Sequence, residues 1–159
     1  MFAILFAGGV IAAPTLPAFS FRDIVAGSPA TTDNLTWCRK ELDGTTSCRN
    51  SVDKVAGIDT ESKTVLYNGM LYTLRLRFGS SDYEKVLAAF RARYGEPCVT
   101  STNKVQNGFG ASFDSAHTEW CFATGKLTLD QYFEDLRITR AGYVDETNVP
   151  PAAKPKVDF

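Results

Sequence analysis

The residues best suited to covalent chemistry are four cysteines, Cys38, Cys48, Cys98 and Cys121. Zinc sites and thioredoxin-like redox centres favour tight Cys-x-x-Cys pairs, and the sequence contains none. The chain also has a single histidine, so a mixed cysteine and histidine site would lack ligands. An even number of widely spaced cysteines is typical of a disulfide framework. We therefore predict two disulfides, no bound metal and no cofactor.

The sequence between Cys38 and Cys48 predicts how the cysteines pair. Residues 42–44, Leu-Asp-Gly, can form a short hairpin loop in which Gly44 is left-handed. Such a loop places Cys38 directly opposite Cys48 in a two-stranded ladder, within reach of a disulfide. The other two cysteines then form the second bridge. The alternative is four reduced thiols in a cytosolic protein.

His117 is the candidate for acid–base chemistry, because Asp114, Ser115 and Glu119 lie close to it in sequence. A hydrolase would need a nucleophile, a base and an orienting group to converge in space. Neighbouring residues of a strand face opposite sides, so closeness in sequence does not ensure this. No Gly-x-Ser-x-Gly motif is present. We expect a surface histidine and no catalytic activity, and we retain a small hydrolase that uses His117 as an alternative.

The candidate binding residues are aromatic or basic: Trp37, Tyr67, Tyr72, Arg75 and Arg77. Trp37 adjoins a cysteine, so packing against a disulfide is its default interpretation; if exposed, it becomes a binding anchor. The two tyrosines flank an Asn-Gly turn. Both arginines fall on the same face of a predicted strand, where they can bind an acidic partner or remain a solvated surface.

The charge balance argues against large anionic partners. The 159 residues include 17 Lys and Arg and 18 Asp and Glu, which gives a net charge of −1. Nucleic-acid binding normally depends on a basic excess, so we expect no nucleic-acid partner. The length and the 44% hydrophobic content fit one globular domain.

The N-terminal sequence favours an oxidising compartment. The first 13 residues, MFAILFAGGVIAA, carry no charged side chain. Together with the small residues that follow, this is typical of a signal peptide, although no Lys or Arg precedes the apolar run. Ala18 and Ser20 predict cleavage before Phe21, with cleavage after Ala18 as the near alternative. We expect a periplasmic or secreted protein without residues 1–20; if uncleaved, this segment would provide the only membrane contact.

The elements that position these residues are strands and one clear helix. Residues 70–78 alternate apolar and polar side chains after Asn68-Gly69, which predicts an antiparallel hairpin. Ser81–Tyr94 has apolar residues at helical spacing and precedes Gly95. A second, weak helix is predicted within residues 28–37. The expected fold class is α+β: an antiparallel sheet with both helices packed on it, arranged as two helix-plus-strands halves.

Three segments follow from these assignments. Residues 1–20 are the signal peptide, residues 21–143 are a single α+β domain, and residues 144–159 are a Pro-rich flexible tail.

The paired cysteines and the helix positions over residues 21–143 resemble secreted proteins of the beta-lactamase inhibitor protein type. The helix end at residues 94–97, Tyr-Gly-Glu-Pro, with strands after it, is similar to small outer-membrane assembly lipoproteins, although no cysteine is placed to carry the lipid. Both resemblances imply a module that binds another protein in or outside the cell envelope. The function expected is therefore an exported, disulfide-stabilised protein-binding module. A structural component of the envelope, docked through the proline-rich tail, is the other alternative.

Overall fold

The computed structural model describes residues 15–151, apart from the side chains at positions 51 and 52. These residues form ten β-strands and one α-helix. Strands take up 50% of these residues and helical turns 11%. The predicted α+β class is therefore wrong, and the fold is mainly β. The elements are β1 (Ser20–Phe21), β2 (Ile24–Val25), β3 (Arg39–Lys40), β4 (Thr45–Val55), β5 (Ile58–Tyr67), β6 (Met70–Gly79), α1 (Tyr83–Tyr94), β7 (Val99–Gln106), β8 (Ser112–Cys121), β9 (Gly125–Asp130) and β10 (Ile138–Asp145).

Eight strands form one antiparallel sheet in the order β3-β4-β5-β6-β10-β9-β8-β7, and β1 pairs with β2 as a separate hairpin. The large sheet consists of two meanders, β3 to β6 and β7 to β10. They meet where β10 pairs with β6 on one side and with β9 on the other. The helix α1 connects the two meanders and covers one face, which we call the inner face.

The second predicted helix is wrong, and so is the division into two helix-plus-strands halves. Residues 28–37 form bends and turns. Pro29 instead makes a bridge to Met70, and the amide of Ala30 donates to the Gly69 carbonyl at 2.8 Å. The Thr-Thr-Asp-Asn sequence has low helix propensity, so the hydrogen bonds to the β5–β6 turn are more favourable here than a helix.

The first predicted helix is present. A 3₁₀ turn at Ser80–Asp82 leads into α1, and Gly95 ends it with a φ of 83°. The glycine amide donates to the Arg91 carbonyl at 2.9 Å, the type of C-terminal cap that a left-handed glycine permits. Neither the 3₁₀ turn nor α1 has a side-chain hydrogen bond from its N-cap residue.

The core lies between α1, the N-terminal segment and the inner face of the sheet. Phe19 is fully buried and stacks on Tyr143 with ring centroids 4.0 Å apart. Trp120 is buried as well, and its indole N–H donates to the Gly95 carbonyl at 2.9 Å. Phe19 precedes the predicted cleavage position before Phe21, so a chain cut there would lose this ring.

A β-bulge at Tyr72 changes the alternation along β6. Next to the turn, Leu66 pairs with Leu71, whereas Val65 pairs with Thr73, so Tyr72 has no partner on β5. Leu71 is therefore buried, whereas strict alternation would place it on the same face as Arg75 and Arg77. Beyond the bulge, Leu74, Leu76 and Phe78 face the core, and the residues between them face outwards, as the sequence predicts.

The packed fold extends past the predicted domain boundary at residue 143. Val144 and Asp145 lie in β10. Asn148 is buried, and its amide group donates to the Tyr67 carbonyl at 3.0 Å. Residues 152–159 of the predicted tail, like residues 1–14 of the predicted signal peptide, lie outside the described residues.

Candidate binding groove

Both predicted disulfides are confirmed. Cys38 and Cys48 have Cα atoms 4.0 Å apart, and those of Cys98 and Cys121 are 5.9 Å apart. The predicted hairpin loop is also present: Gly44 has a φ of 81° and the strands on either side pair in the expected register. All four cysteines are disulfide-bonded, a state typical of oxidising compartments.

The first disulfide restrains the backbone next to an exposed tryptophan. Trp37 precedes Cys38, has a φ of 50° and is 83% exposed. It therefore does not pack in the core, unlike Trp120. Thr36, one residue earlier, donates its hydroxyl to the Arg49 carbonyl at 3.1 Å, which ties this loop to β4.

A groove of about 720 Å³ crosses the outer face of the sheet. Strands β4, β5, β6 and β10 form its floor. Trp37 bounds it at the β4 side, and Phe133 and Glu134, from the β9–β10 connection, bound it at the β10 side. Its basic lining consists of Arg49, Lys63, Arg75, Arg77 and Arg140.

The strand register places most of these cations side by side. Lys63 lies opposite Arg75 across β5 and β6, and Arg49 lies opposite Lys63 across β4 and β5. Directly opposed side chains on one face of a sheet have Cβ atoms about 5 Å apart, and like charges at that distance destabilise the sheet. Arg49, Lys63 and Arg75 therefore form a first row across the sheet in which every side chain is positively charged.

A second row across the sheet, formed by Glu61, Arg77 and Arg140, has mixed charge. Arg77 lies between Glu61 on β5 and Arg140 on β10. Glu61 and Glu134 are the two acidic residues of the lining. The groove thus carries five cations and two carboxylates, in a chain whose net charge is −1.

These cations are unpaired within residues 15–151. None of the five has a carboxylate oxygen within 4.0 Å, whereas eight other lysines and arginines of the described chain do. Arginines and lysines that face each other without forming ion pairs favour the binding of an anion.

Arg140 is the most enclosed cation of the groove. Its guanidinium carbon lies 3.6 Å from the centroid of the Phe133 ring, and its buried Nε has no hydrogen-bond partner among the described residues. Burial lowers the pKa of its guanidinium; Asp130 and Glu134 raise it, and Arg75 lowers it further. An anion in the groove would offset this loss of solvation.

Backbone strain occurs at both sides of the groove. Trp37 and Glu134 are non-glycine residues with φ values of 50° and 60°. This left-handed conformation costs on the order of 1 kcal/mol or more for such residues and tends to concentrate at functional sites.

Three of the five predicted binding residues come together here: Trp37, Arg75 and Arg77 all line the groove. Tyr67 and Tyr72 are half-buried and are not part of its lining. The sequence prediction missed Arg49, Lys63, Arg140 and Phe133. Their common face depends on strand pairing: Arg49 and Lys63 depend on the register of the β4–β5 and β5–β6 hairpins, and Arg140 depends on the pairing of β10 with β6.

His117 lies further along the same outer face, between two carboxylates. Its Nδ1 is 2.6 Å from Asp130 Oδ1 and its Nε2 is 2.9 Å from Glu119 Oε1. Burial lowers the pKa of the imidazole, but the hydrogen bonds and charges of the two carboxylates outweigh it, so the pKa is raised overall. Each carboxylate can accept a hydrogen bond from the ring only if the nitrogen facing it carries a proton, so this arrangement favours the imidazolium form.

The other residues of the hydrolase hypothesis are engaged elsewhere. The Ser115 hydroxyl accepts the amide N–H of Tyr132 at 3.2 Å, and Asp114 pairs with Lys104 at 2.5 Å. The structure therefore brings Glu119 to His117 but does not place the hydroxyl of Ser115 in a nucleophile–base pair.

Two further features were searched for in residues 15–151. That part of the chain contains no group of three or more His, Cys, Asp or Glu side chains arranged to hold a metal ion. Nor is any helix in it long and apolar enough to cross a membrane.

No protein-family model matches the chain, and comparisons with curated proteins and with solved structures also give no match. The resemblances to beta-lactamase inhibitor proteins and to outer-membrane assembly lipoproteins stay predictions.

Proposed function

We propose that this chain is an exported, disulfide-stabilised module that binds another protein through the groove on its outer face. The observation that carries the proposal is the set of five neighbouring, unpaired cations beside an exposed tryptophan. Tryptophan and arginine are enriched among the residues that dominate protein–protein binding energy.

The position of Trp37 supports the proposal. An anchor contributes most when little conformational freedom is lost on binding. Trp37 is joined to the sheet by the Cys38–Cys48 bridge on one side and by the contacts of Thr36 with β4 on the other. Its large apolar surface is thus presented to solvent from a restrained loop.

Export is supported by the two disulfides and by the apolar N-terminal sequence. The compartment proposed is the periplasm or the exterior of the cell. The partner is a protein with acidic residues at its contact surface, because charge complementarity both selects partners and accelerates their encounter.

A site-specific photo-crosslinker tests the proposal in the exporting cell. A photoreactive phenylalanine analogue replaces Trp37 in one variant and Phe109, which is 99% exposed away from the groove, in the control variant. A discrete adduct is expected at position 37 only, and charge reversal by Arg75→Glu with Arg77→Glu should abolish it. Equal adducts at both positions, or an adduct that charge reversal leaves unchanged, would overturn the proposal.

The two alternative functions gain less support. A hydrolase would need a free nitrogen on His117, and both nitrogens are bound to carboxylates. A structural role in the envelope depends on the tail from residue 144 onwards, of which residues 152–159 lie outside the described part, and it stays a prediction.

A further inference from the structure

We propose that the groove recognises an extended acidic peptide segment with carboxylates on alternate residues, Asp or Glu followed by any residue and then Asp or Glu. This inference rests on the proposed function and names the feature of the partner that the groove would bind. The segment runs along β6 and places its carboxylates on Arg75 and Arg77.

The spacing of the two arginines sets this pattern. Arg75 and Arg77 are both exposed on the outer face of β6, two residues apart. Side chains two residues apart on a strand are separated by about 6.6 Å, and an extended peptide presents its own alternate side chains at the same spacing. Carboxylates on consecutive residues would point to opposite sides, and those three residues apart would be out of register.

Each arginine has a second cation beside it, on a different neighbouring strand. Lys63 on β5 lies opposite Arg75, and Arg140 on β10 lies opposite Arg77. The groove therefore provides two sites with two cations each, arranged along β6. One carboxylate in each site would lie between two positive groups and relieve the repulsion between them.

The mixed charge of the second row favours a peptide over a polyanion. Glu61 lies opposite Arg77 on its β5 side, and Glu134 lines the same end of the groove. The continuous phosphates of a nucleic acid or an anionic membrane would meet these carboxylates at close range. A peptide can place an amide N–H or a neutral side chain there while its carboxylates occupy the cationic sites.

The aromatic end of the groove adds a preference for an apolar residue. Trp37 stands on the β4 side, next to the row that contains Lys63 and Arg75. It also lines a second cavity of about 430 Å³, on the side of the Cys38–Cys48 bridge. An apolar side chain two residues beyond the acidic pair in the peptide faces the same side as the carboxylates, so it would pack against the exposed indole.

Synthetic peptides with blocked ends test the spacing. One carries Glu-Ser-Glu-Ser-Leu, a second carries Glu-Ser-Ser-Glu-Ser-Leu, and a third carries Gln-Ser-Gln-Ser-Leu, each with the same fluorescent label. Fluorescence anisotropy at low salt is expected to give a Kd for the first peptide that is at least about tenfold lower than for either control. Arg75→Gln and Arg77→Gln should each remove most of this difference, whereas Arg91→Gln on α1 should not.

The outcomes separate this inference from the proposed function. Equal affinity for the first two peptides, or tighter binding to phosphatidylglycerol vesicles than to the first peptide, overturns the alternate-carboxylate inference. A charge-dependent adduct at position 37 would leave the protein-binding proposal standing in either case. Circular dichroism of each variant in the near ultraviolet confirms that the exposed substitutions leave the fold intact.

Discussion

Lys63 faces Arg75 across β5 and β6 because Tyr72 bulges from β6 between this pair and the Asn68-Gly69 turn. The turn alone would place Arg75 opposite Ser62, a residue that is buried on the other face of β5. One unpaired residue thus decides which side chains of β5 enter the groove, because a shift of one residue moves every side chain of a strand to the opposite face.

Deletion of Tyr72 should disrupt the fold far more than truncation of its side chain. Without the bulge, either the apolar residues of β6 leave the core or its register with β5 shifts by one residue. We expect a loss of more than about 3 kcal/mol in the free energy of unfolding, because apolar groups or charges would be misplaced. Tyr72→Ala keeps the backbone and should cost about 1 kcal/mol. Urea unfolding of both variants gives the comparison, and similar losses in the two would show that the bulge is dispensable.

Salt should stabilise the protein in the absence of a ligand. Lys63 and Arg75, and likewise Arg77 and Arg140, are opposed like charges whose repulsion salt screens. The melting temperature is expected to rise between low and moderate sodium chloride concentration, by the equivalent of about 0.5 kcal/mol. An Arg75→Gln and Arg77→Gln double variant should show a clearly smaller rise. The same slope in both proteins would contradict the prediction.

The cation of His117 should lose its stabilising effect as the pH rises. Because the folded state raises the pKa of the imidazole, the folded protein binds this proton more tightly than the unfolded chain does. The contribution is complete below the unfolded pKa of about 6.5 and disappears as the pH passes through the folded value. The chain has one histidine, so proton NMR titration follows it without ambiguity. Glu119→Gln should lower its pKa; an unchanged titration would show that this carboxylate has no influence.

Phe19 should be present in the mature protein. Its ring is fully buried and stacked on Tyr143, so Phe19→Ala should cost about 3–5 kcal/mol. A recombinant chain that begins at Phe21 should be destabilised at least as much as this variant. Mass spectrometry of the protein recovered from the proposed compartment is expected to show a mature form that still contains Phe19. A stable mature form beginning at Phe21 would contradict the prediction.

The two disulfides should differ in their effect on binding. Replacing Cys38 and Cys48 by serine should cost about 3 kcal/mol in the chain-entropy model and should also weaken the crosslink at Trp37, because the loop that carries the indole is released. Replacing Cys98 and Cys121 should cost a similar free energy but leave the groove unchanged. The second pair is therefore the matched control, measured by urea unfolding together with crosslinking. Equal losses of crosslinking in both variants would mean that stability alone explains them.

Local signals in the sequence predicted the local structure well. The Asp43-Gly44 and Asn68-Gly69 turns fix their backbone conformations within a few residues, and the first also determined the Cys38–Cys48 pairing. The helix that ends at Gly95 was predicted from its spacing and its terminal glycine. In each case the energetics depend on residues close together in the chain.

The features that were not predicted depend on contacts distant in sequence. Ala30 is not helical because its amide bonds to the β5–β6 turn. The bulge at Tyr72 allows both Leu71 and the apolar residues beyond it on β6 to pack in the core. The groove was partly predicted, since Arg75 and Arg77 share one strand. Arg140 reaches it only through the pairing of β10 with β6, and Lys63 only through the bulge in the β5–β6 hairpin, and no local pattern encodes either.

The position of β10 in the sheet also determines when the protein can fold. Since β10 joins the two meanders, the sheet stays divided until this strand, the last of the described residues, is available. Arg140 lies on β10, so the groove is completed at that same late step. A chain that crosses a membrane unfolded would therefore acquire its recognition surface only after β10 has arrived on the far side.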